Sequence, residues 1–266
     1  MVIKDSYISW FVRRLHHSHI FRTIAKQVFR GFIIKQSFYK GMICLDAVEY
    51  SWAWLGNDIC ENFGHELQDK LLFLSKEREV MIDIGCNVGL MALSVLLRNT
   101  NIKAVCVDPN PLAIVLLNKS MRINRLSQRM SIIEAAVGVR EGVIRFDQSR
   151  ANLGMSHVSA SGSLVRSISF LNLINSHSCS AKCLVKIDIE GFETILMRQL
   201  AHLANLHNLC FVIELHALGY NSMGNPKECL KLLKESGAVI EGLSGSILSQ
   251  VEEDRITQVI VRWNRE

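Results

Sequence analysis

Residues 80–89 read Val-Met-Ile-Asp-Ile-Gly-Cys-Asn-Val-Gly, and a second apolar run ends in Cys106-Val107-Asp108-Pro109. An apolar run that stops at an acid, turns through two glycines and opens a helical pattern from Leu90 to Leu97 has few ways to fold. It is a buried strand, a tight turn and a crossover helix that delivers the chain to a parallel neighbour. Glycine at such a turn lets a ligand approach the backbone, because no Cβ stands in the way. Asp108, nineteen residues after Gly89, ends the next strand, where a carboxylate accepts hydrogen bonds from ribose hydroxyls. The pattern predicts a nucleoside site.

The glycine spacing narrows the nucleoside. A dinucleotide fingerprint needs G-x-G-x-x-G, whose middle glycine admits a pyrophosphate to the helix N-terminus. Here Asn87 holds the middle position between Gly85 and Gly89. A cofactor with an adenosine and no pyrophosphate suits this turn, and S-adenosyl-L-methionine has that shape. Its amino acid part would meet Asp83 and the loop. A nicotinamide-dependent oxidoreductase and a non-catalytic binding or scaffold protein are the competing readings. No Gly-Lys-Ser/Thr follows, which excludes a Walker loop.

Downstream, apolar strands at 79–84, 103–108, 130–136, 183–188, 209–215 and 256–263 alternate with helical patterns near 89–98, 110–122, 191–203 and 226–236. Alternation of this kind implies a mostly parallel sheet covered on both faces. Residues 238–243 and 256–261 are joined too briefly for a helix, so they should pair antiparallel. A seven-stranded, mostly parallel sheet closed by an antiparallel hairpin is the Rossmann-like layout expected of a class I methyltransferase. Residues 143–146 predict an extra hairpin strand. The serine-rich segment 151–182 predicts a flexible loop or lid.

Ahead of this domain, taken as residues 61–266, lies an extension, residues 1–60. Residues 1–40 hold eight Lys or Arg and one acid, so the net charge of +5 belongs to this end and says little about the domain's ligand. Residues 8–32 space Ile8, Phe11, Leu15, Ile20, Ile24, Val28 and Phe32 near helical periodicity, which gives a basic amphipathic helix. Such a helix either contacts an anionic membrane surface peripherally or packs on the domain with its basic face in water. Residues 33–60, richer in aromatic and β-branched positions, predict a small β element. No run of eighteen apolar residues occurs, so no spanning helix is expected, and Arg13, Arg14, His16 and His17 interrupt any signal-peptide core. Eight cysteines include no C-x-x-C pair, which predicts reduced thiols, a cytoplasmic setting and no zinc site.

Ligands of open α/β sheets lie at the carboxyl ends of the strands. Asp83, Asp108, Glu134, Asp188, Glu190, Glu214 and His216 all end strands in this reading. Glu134 is placed to border an adenine. Lys186, Asp188 and Glu190 alternate along Lys186-Ile187-Asp188-Ile189-Glu190-Gly191, which puts them on one side of an extended chain. Core packing explains three such charges poorly. Glu214-Leu215-His216 repeats the alternation. An imidazole beside a carboxylate is suited to take a proton from a hydroxyl while a methyl group is transferred. The same Asp188, Glu190, Glu214 and His216 would alternatively hold a hard divalent cation, or serve only to position. Glu193 is expected on the first turn of the next helix, where the dipole favours an acid.

Ile82-Asp83-Ile84-Gly85-Cys86-Asn87-Val88-Gly89 and Lys186-Ile187-Asp188-Ile189-Glu190-Gly191-Phe192-Glu193, with Val107-Asp108-Pro109-Asn110-Pro111 and Glu214-Leu215-His216, resemble blocks of the FkbM family of methyltransferases. The resemblance spans roughly residues 80–220, with Cys86 where many members have alanine and Asp108 where many have glutamate. It implies S-adenosylmethionine as cofactor and transfer to a hydroxyl of a small molecule or carbohydrate. Asp83, Gly85, Asn87, Gly89, Asp108 and Glu134 would then face the cofactor, and Asp188, Glu190, Glu214 and His216 the acceptor. No nucleic-acid partner is expected, because the basic segment lacks regularly interleaved aromatic residues and no Asn-Pro-Pro-Tyr-type motif is present.

Overall fold

The computed structural model describes residues 29, 31–50, 58–147, 157–158, 162–216, 225–247 and 257–263. Most of the basic segment at 8–32 lies outside the described residues, as do Trp52 and Trp54.

Three sheets form. A hairpin pairs β1 (Ile33–Phe38) with β2 (Gly41–Asp46), so the small β element expected over 33–60 is present at 33–46. Two helices follow, α1 (Ile59–Asn62) and α2 (His65–Ser75). The central unit then runs β3 (Val80–Ile84), α3 (Leu90–Leu96), β4 (Lys103–Asp108), α4 (Pro111–Ile123) and β5 (Met130–Glu134). A smaller sheet is built from β6 (Ala136–Gly138), β7 (Gly142–Asp147), β8 (His157–Val158) and β9 (Ser163–Ser169), after which α5 (Phe170–Ser178) returns the chain. The rest is β10 (Cys183–Ile187), α6 (Glu193–Met197), β11 (Leu209–Leu215), α7 (Pro226–Glu235), β12 (Val239–Gly242) and β13 (Thr257–Arg262).

The main sheet has seven strands in the order β12-β13-β11-β10-β3-β4-β5. β13 is antiparallel to both β11 and β12, while β11, β10, β3, β4 and β5 run parallel. This is the expected Rossmann-like sheet of class I methyltransferases, hairpin included. Strand order reverses between β3 and β10, and the crevice of such a sheet opens at that point. Alternating side chains feed two cores. Met81, Ala104, Cys106, Leu184 and Val212 face the layer of α3, α4 and the β1–β2 hairpin. Ile82, Val105, Val185 and Phe211 face the layer of α5, α6 and α7.

Helix starts follow their caps. Asn110 stands in extended backbone, accepts from the Leu112 and Ala113 amides and precedes Pro111, a residue pre-set for the first helical position. Asn225 and Pro226 repeat the device for α7. The helix expected over 191–203 is shorter: α6 ends at Met197, and a 3-10 turn covers Leu200–His202.

The loop or lid expected over 151–182 is the clearest correction. Within it, β9 and α5 are regular from Ser163 to Ser178. The serines that suggested a loop are satisfied inside these elements. Ser167 is buried and its hydroxyl donates to the Arg140 carbonyl, while Ser169 caps α5 at the Asn172 amide. Short hydroxyls that find backbone partners are compatible with a strand end and a helix start. Among the described residues, no helix is long and apolar enough to cross a membrane.

Candidate active site

The turn after β3 is held by backbone bonds from the Gly85 and Cys86 amides to the Val107 carbonyl, and Asp188 is tied in through its amide to the Ile84 carbonyl. Gly85 has φ +76°, and a Cβ there would lie 1.8 Å from the Asp188 carbonyl oxygen. Its requirement is therefore the close approach of β10, as well as the turn. Gly89, at φ +78°, starts α3, and a Cβ would lie 2.3 Å from Leu117. Asn87 adopts φ +49°, a conformation asparagine tolerates better than most side chains. Its amide donates to Asp108 Oδ2 at 2.8 Å, and its side-chain oxygen accepts from the Tyr50 hydroxyl. The Asn110 amide binds Asp108 Oδ1 at 2.8 Å. Each Asp108 oxygen keeps a further lone pair for a ligand hydroxyl. Burial pushes the Asp108 carboxyl up to about 6, against the two amides that favour its ionised form.

A cleft follows the strand ends at the switch point, with an enclosed volume of about 100 Å3. Gly85, Asn87, Asp108, Asp188 and Glu190 all line it. Ala135, Val137 and Phe146, from β5's exit and the smaller sheet, supply apolar surface. Gly89 and Glu134 are not on the cleft's surface. Gly89 packs against Leu117, while Glu134, exposed, stands opposite Asp108 in the β4–β5 register.

Asp83 is fully buried one strand position before this cleft. Burial raises its carboxyl above the usual range, offset in part by Lys186. The Lys186 ammonium, also buried, lies 2.8 Å from Asp188 Oδ2 and 3.8 Å from Asp83 Oδ1. Burial pulls this lysine down, but the carboxylates of Asp188, Asp83 and Glu214 outweigh it and hold it protonated.

His216 ends the described part of β11's exit and is 5% exposed. Its Nδ1 lies 2.9 Å from Glu193 Oε1, and its Nε2 lies 3.6 Å from Asp188 Oδ1, 3.4 Å from Glu190 Oε2 and 3.9 Å from Glu214 Oε1. The sequence-predicted quartet of Asp188, Glu190, Glu214 and His216 is thus one cluster. Burial lowers the imidazole, but Glu193, Glu190 and Asp188 together lift it to about 9, so it carries a proton at neutral pH. Burial lifts Glu190 to about 7, with His216 opposing.

Glu193, on the first turn of α6 as expected, has a further task that the sequence reading missed. Buried at 3% exposure, its Oε1 accepts from the Ile189 and Gly191 amides and from His216. It therefore fixes both the Glu190 turn, where Glu190 itself has φ +53°, and the imidazole. Tyr50 and Gln258, which donates to Glu214 Oε2 at 2.8 Å, were also not foreseen. Both come from distant sequence, and only the Glu190-Gly191-Phe192-Glu193 spacing offered a local signal.

No protein-family model matches the chain, and no curated protein matches it. Solved structures do. A complex of aTrm5 with tRNALeu is similar at TM-score 0.49 and 13% identity, over 87% of this chain and 53% of that one, so the chain spans about half its length. M. jannaschii TYW2 in complex with AdoMet is similar at TM-score 0.47 and 14% identity, over 86% and 84%. An SAH-bound Podospora anserina methyltransferase, PaMTH1, is similar at TM-score 0.45 and 13% identity, over 74% and 78%. The expectation that no nucleic acid would be a partner is corrected here. An M. jannaschii tRNA m1G37 methyltransferase is likewise similar, at TM-score 0.46 and 13% identity over 88% and 55%.

Proposed function

We propose that the chain is an S-adenosylmethionine-dependent methyltransferase of the FkbM type that methylates a hydroxyl of a small molecule or sugar. The observation that carries this reading is the presence of two donor sets in one cleft. Asp108, with Asn87 beside it, offers a carboxylate to a ribose diol, and Ala135, Val137 and Phe146 offer an apolar slot for an adenine. Asp188 and Glu190, which line the same cleft, belong to the His216 cluster. This donor set fits the cofactor: it has a carboxylate for the diol, no lysine or arginine among the cleft residues for a pyrophosphate, and buried carboxylates for a cation.

When bound, the cofactor supplies an electrophilic methyl group on a positively charged sulfur. Asp83, Asp188 and Glu190 put negative charge near that sulfonium, and Lys186 keeps Asp83 and Asp188 oriented. The carboxylates at the acceptor side would hold the acceptor hydroxyl in line with that methyl group and take the hydroxyl's proton. Gly85 and Gly89 shape the loop, and Glu134 borders the adenine end from outside the cleft.

Calorimetric titration with S-adenosylmethionine, S-adenosylhomocysteine and NAD tests the reading. Micromolar binding of the first two, none of NAD, and at least a tenfold loss in Asp108→Ala are expected. Ribose binding uses the ionised carboxylate, so affinity should fall as pH drops through about 6 in the parent, and Asp108→Asn should lack that component of the fall. Binding of NAD alone would transfer the chain to oxidoreductase chemistry. An acceptor screen should include sugars, small hydroxylated compounds and tRNA.

A further inference from the structure

The cluster around His216 is built from the outside inwards. Asp188 uses Oδ2 for Lys186, Glu214 uses Oε2 for Gln258, and His216 uses Nδ1 for Glu193, at 2.8, 2.8 and 2.9 Å. Of the three remaining atoms, His216 Nε2 lies 3.6 Å from Asp188 Oδ1 and 3.9 Å from Glu214 Oε1, and each of the three residues offers a ligand atom within 4.8 Å of the others. Among the described residues, no hydrogen bond engages any of the three. The imidazole side chain is only 4% exposed, so its Nε2 is a buried polar atom aimed into this gap. Outer partners that fix ring and carboxylate orientation while inner atoms converge are the arrangement that metal ligands require.

We propose that Asp188, Glu214 and His216 bind one divalent cation, which replaces the Nε2 proton of His216 and releases it to solvent, with Glu190 Oε2, 3.4 Å from Nε2, as a fourth donor. The charges favour it. Asp188, Glu190, Glu193 and Glu214 surround one lysine and one histidine, leaving an excess of carboxylate in a largely buried site. Ion–ligand bonds of about 2.0–2.5 Å reach all three atoms after small side-chain movements. Two carboxylates and one imidazole suit Mn2+ or Zn2+ better than Ca2+. Asp188 and Glu190 also line the cofactor cleft, so the ion sits where an acceptor oxygen would meet the methyl group. There it would orient that oxygen and stabilise its deprotonated form, a role that rests on the methyltransferase reading.

The test uses chelator-treated full-length protein titrated with Mn2+, with free ion followed by its electron paramagnetic resonance signal. One bound ion per chain is expected, with a single imidazole nitrogen coupling in the pulsed spectrum and competition by Zn2+. His216→Ala should abolish that coupling and weaken binding at least tenfold, and Asp188→Asn should weaken it similarly. Gln258→Ala, which frees Glu214 without removing a ligand, should weaken it less. Absence of stoichiometric binding of Mn2+, Zn2+ and Mg2+ to the parent protein overturns the site, as does binding without nitrogen coupling. S-adenosylhomocysteine is titrated in parallel. Ion binding without nucleoside binding sinks the methyltransferase reading and keeps the ion site, and the reverse outcome removes the ion site alone.

Discussion

At the residue scale, two glycines separate strain from collision. Gly85 combines φ +76° with a Cβ position 1.8 Å from the Asp188 carbonyl oxygen, whereas Gly191, at φ +99°, has nothing within 4 Å of its Cβ position. Left-handed backbone costs a non-glycine residue about 1–3 kcal/mol. Gly191→Ala should lose about that much in urea unfolding. Gly85→Ala should lose more, because β10 must also move away from β3. Equal losses would mean that the turn absorbs the collision. The β3 turn was readable in sequence because a glycine pair and its flanking strand are local. Glu193's grip on His216 was not, because the two are 23 residues apart and meet only when β10 and β11 pair.

At the element scale, the β1–β2 hairpin is joined to the central unit by side chains of α4. Asn124 accepts from the Met42 amide at 2.8 Å and donates to the Met42 carbonyl at 2.6 Å, and the Cys44 amide donates to Ser120 Oγ at 2.8 Å. Asn124→Ala leaves two partly buried backbone groups of Met42 without their partner, a cost of about 2–3 kcal/mol. Amide exchange over residues 41–46 should accelerate while β3 and β4 stay protected. Unchanged exchange would show that the apolar contacts of Ile43 and Leu45 suffice. The hairpin's existence could be anticipated from its β-branched and aromatic residues. Its docking could not, because an asparagine at a helix end has no sequence mark for a partner 82 residues away. The β9–α5 segment failed in the opposite way, since serine composition resembles a loop until its hydroxyls find carbonyl and amide partners.

For the whole molecule, ligand binding at the cleft ties elements from both sides of the switch point, so nucleoside binding should register as global stability. At a hundred times its dissociation constant a ligand adds about 2.7 kcal/mol. For a chain of this size that corresponds to a rise in Tm of about 5–10 °C. Thermal unfolding with S-adenosylhomocysteine should show this rise, and Asp108→Ala should show a much smaller one at equal ligand concentration. A rise retained in the variant would place the nucleoside elsewhere.

By itself the sequence determined the elements whose signals are local. These are the apolar strands, the Asn-Pro helix starts, the glycine turn after β3, the antiparallel closure at β12 and β13, and the acids at strand ends. Periodicity and backbone preference act over a few residues, and they suffice to select a mostly parallel sheet. Tertiary structure alone decided which strand ends meet. It left Glu134 on the surface, gathered Asp188, Glu190 and Glu214 around the buried His216 ring with Glu193 and Gln258 as supports, and set the Tyr50 hydroxyl on Asn87. It also set the protonation of that ring, because an imidazole's charge depends on the carboxylates that surround it rather than on its neighbours in the chain.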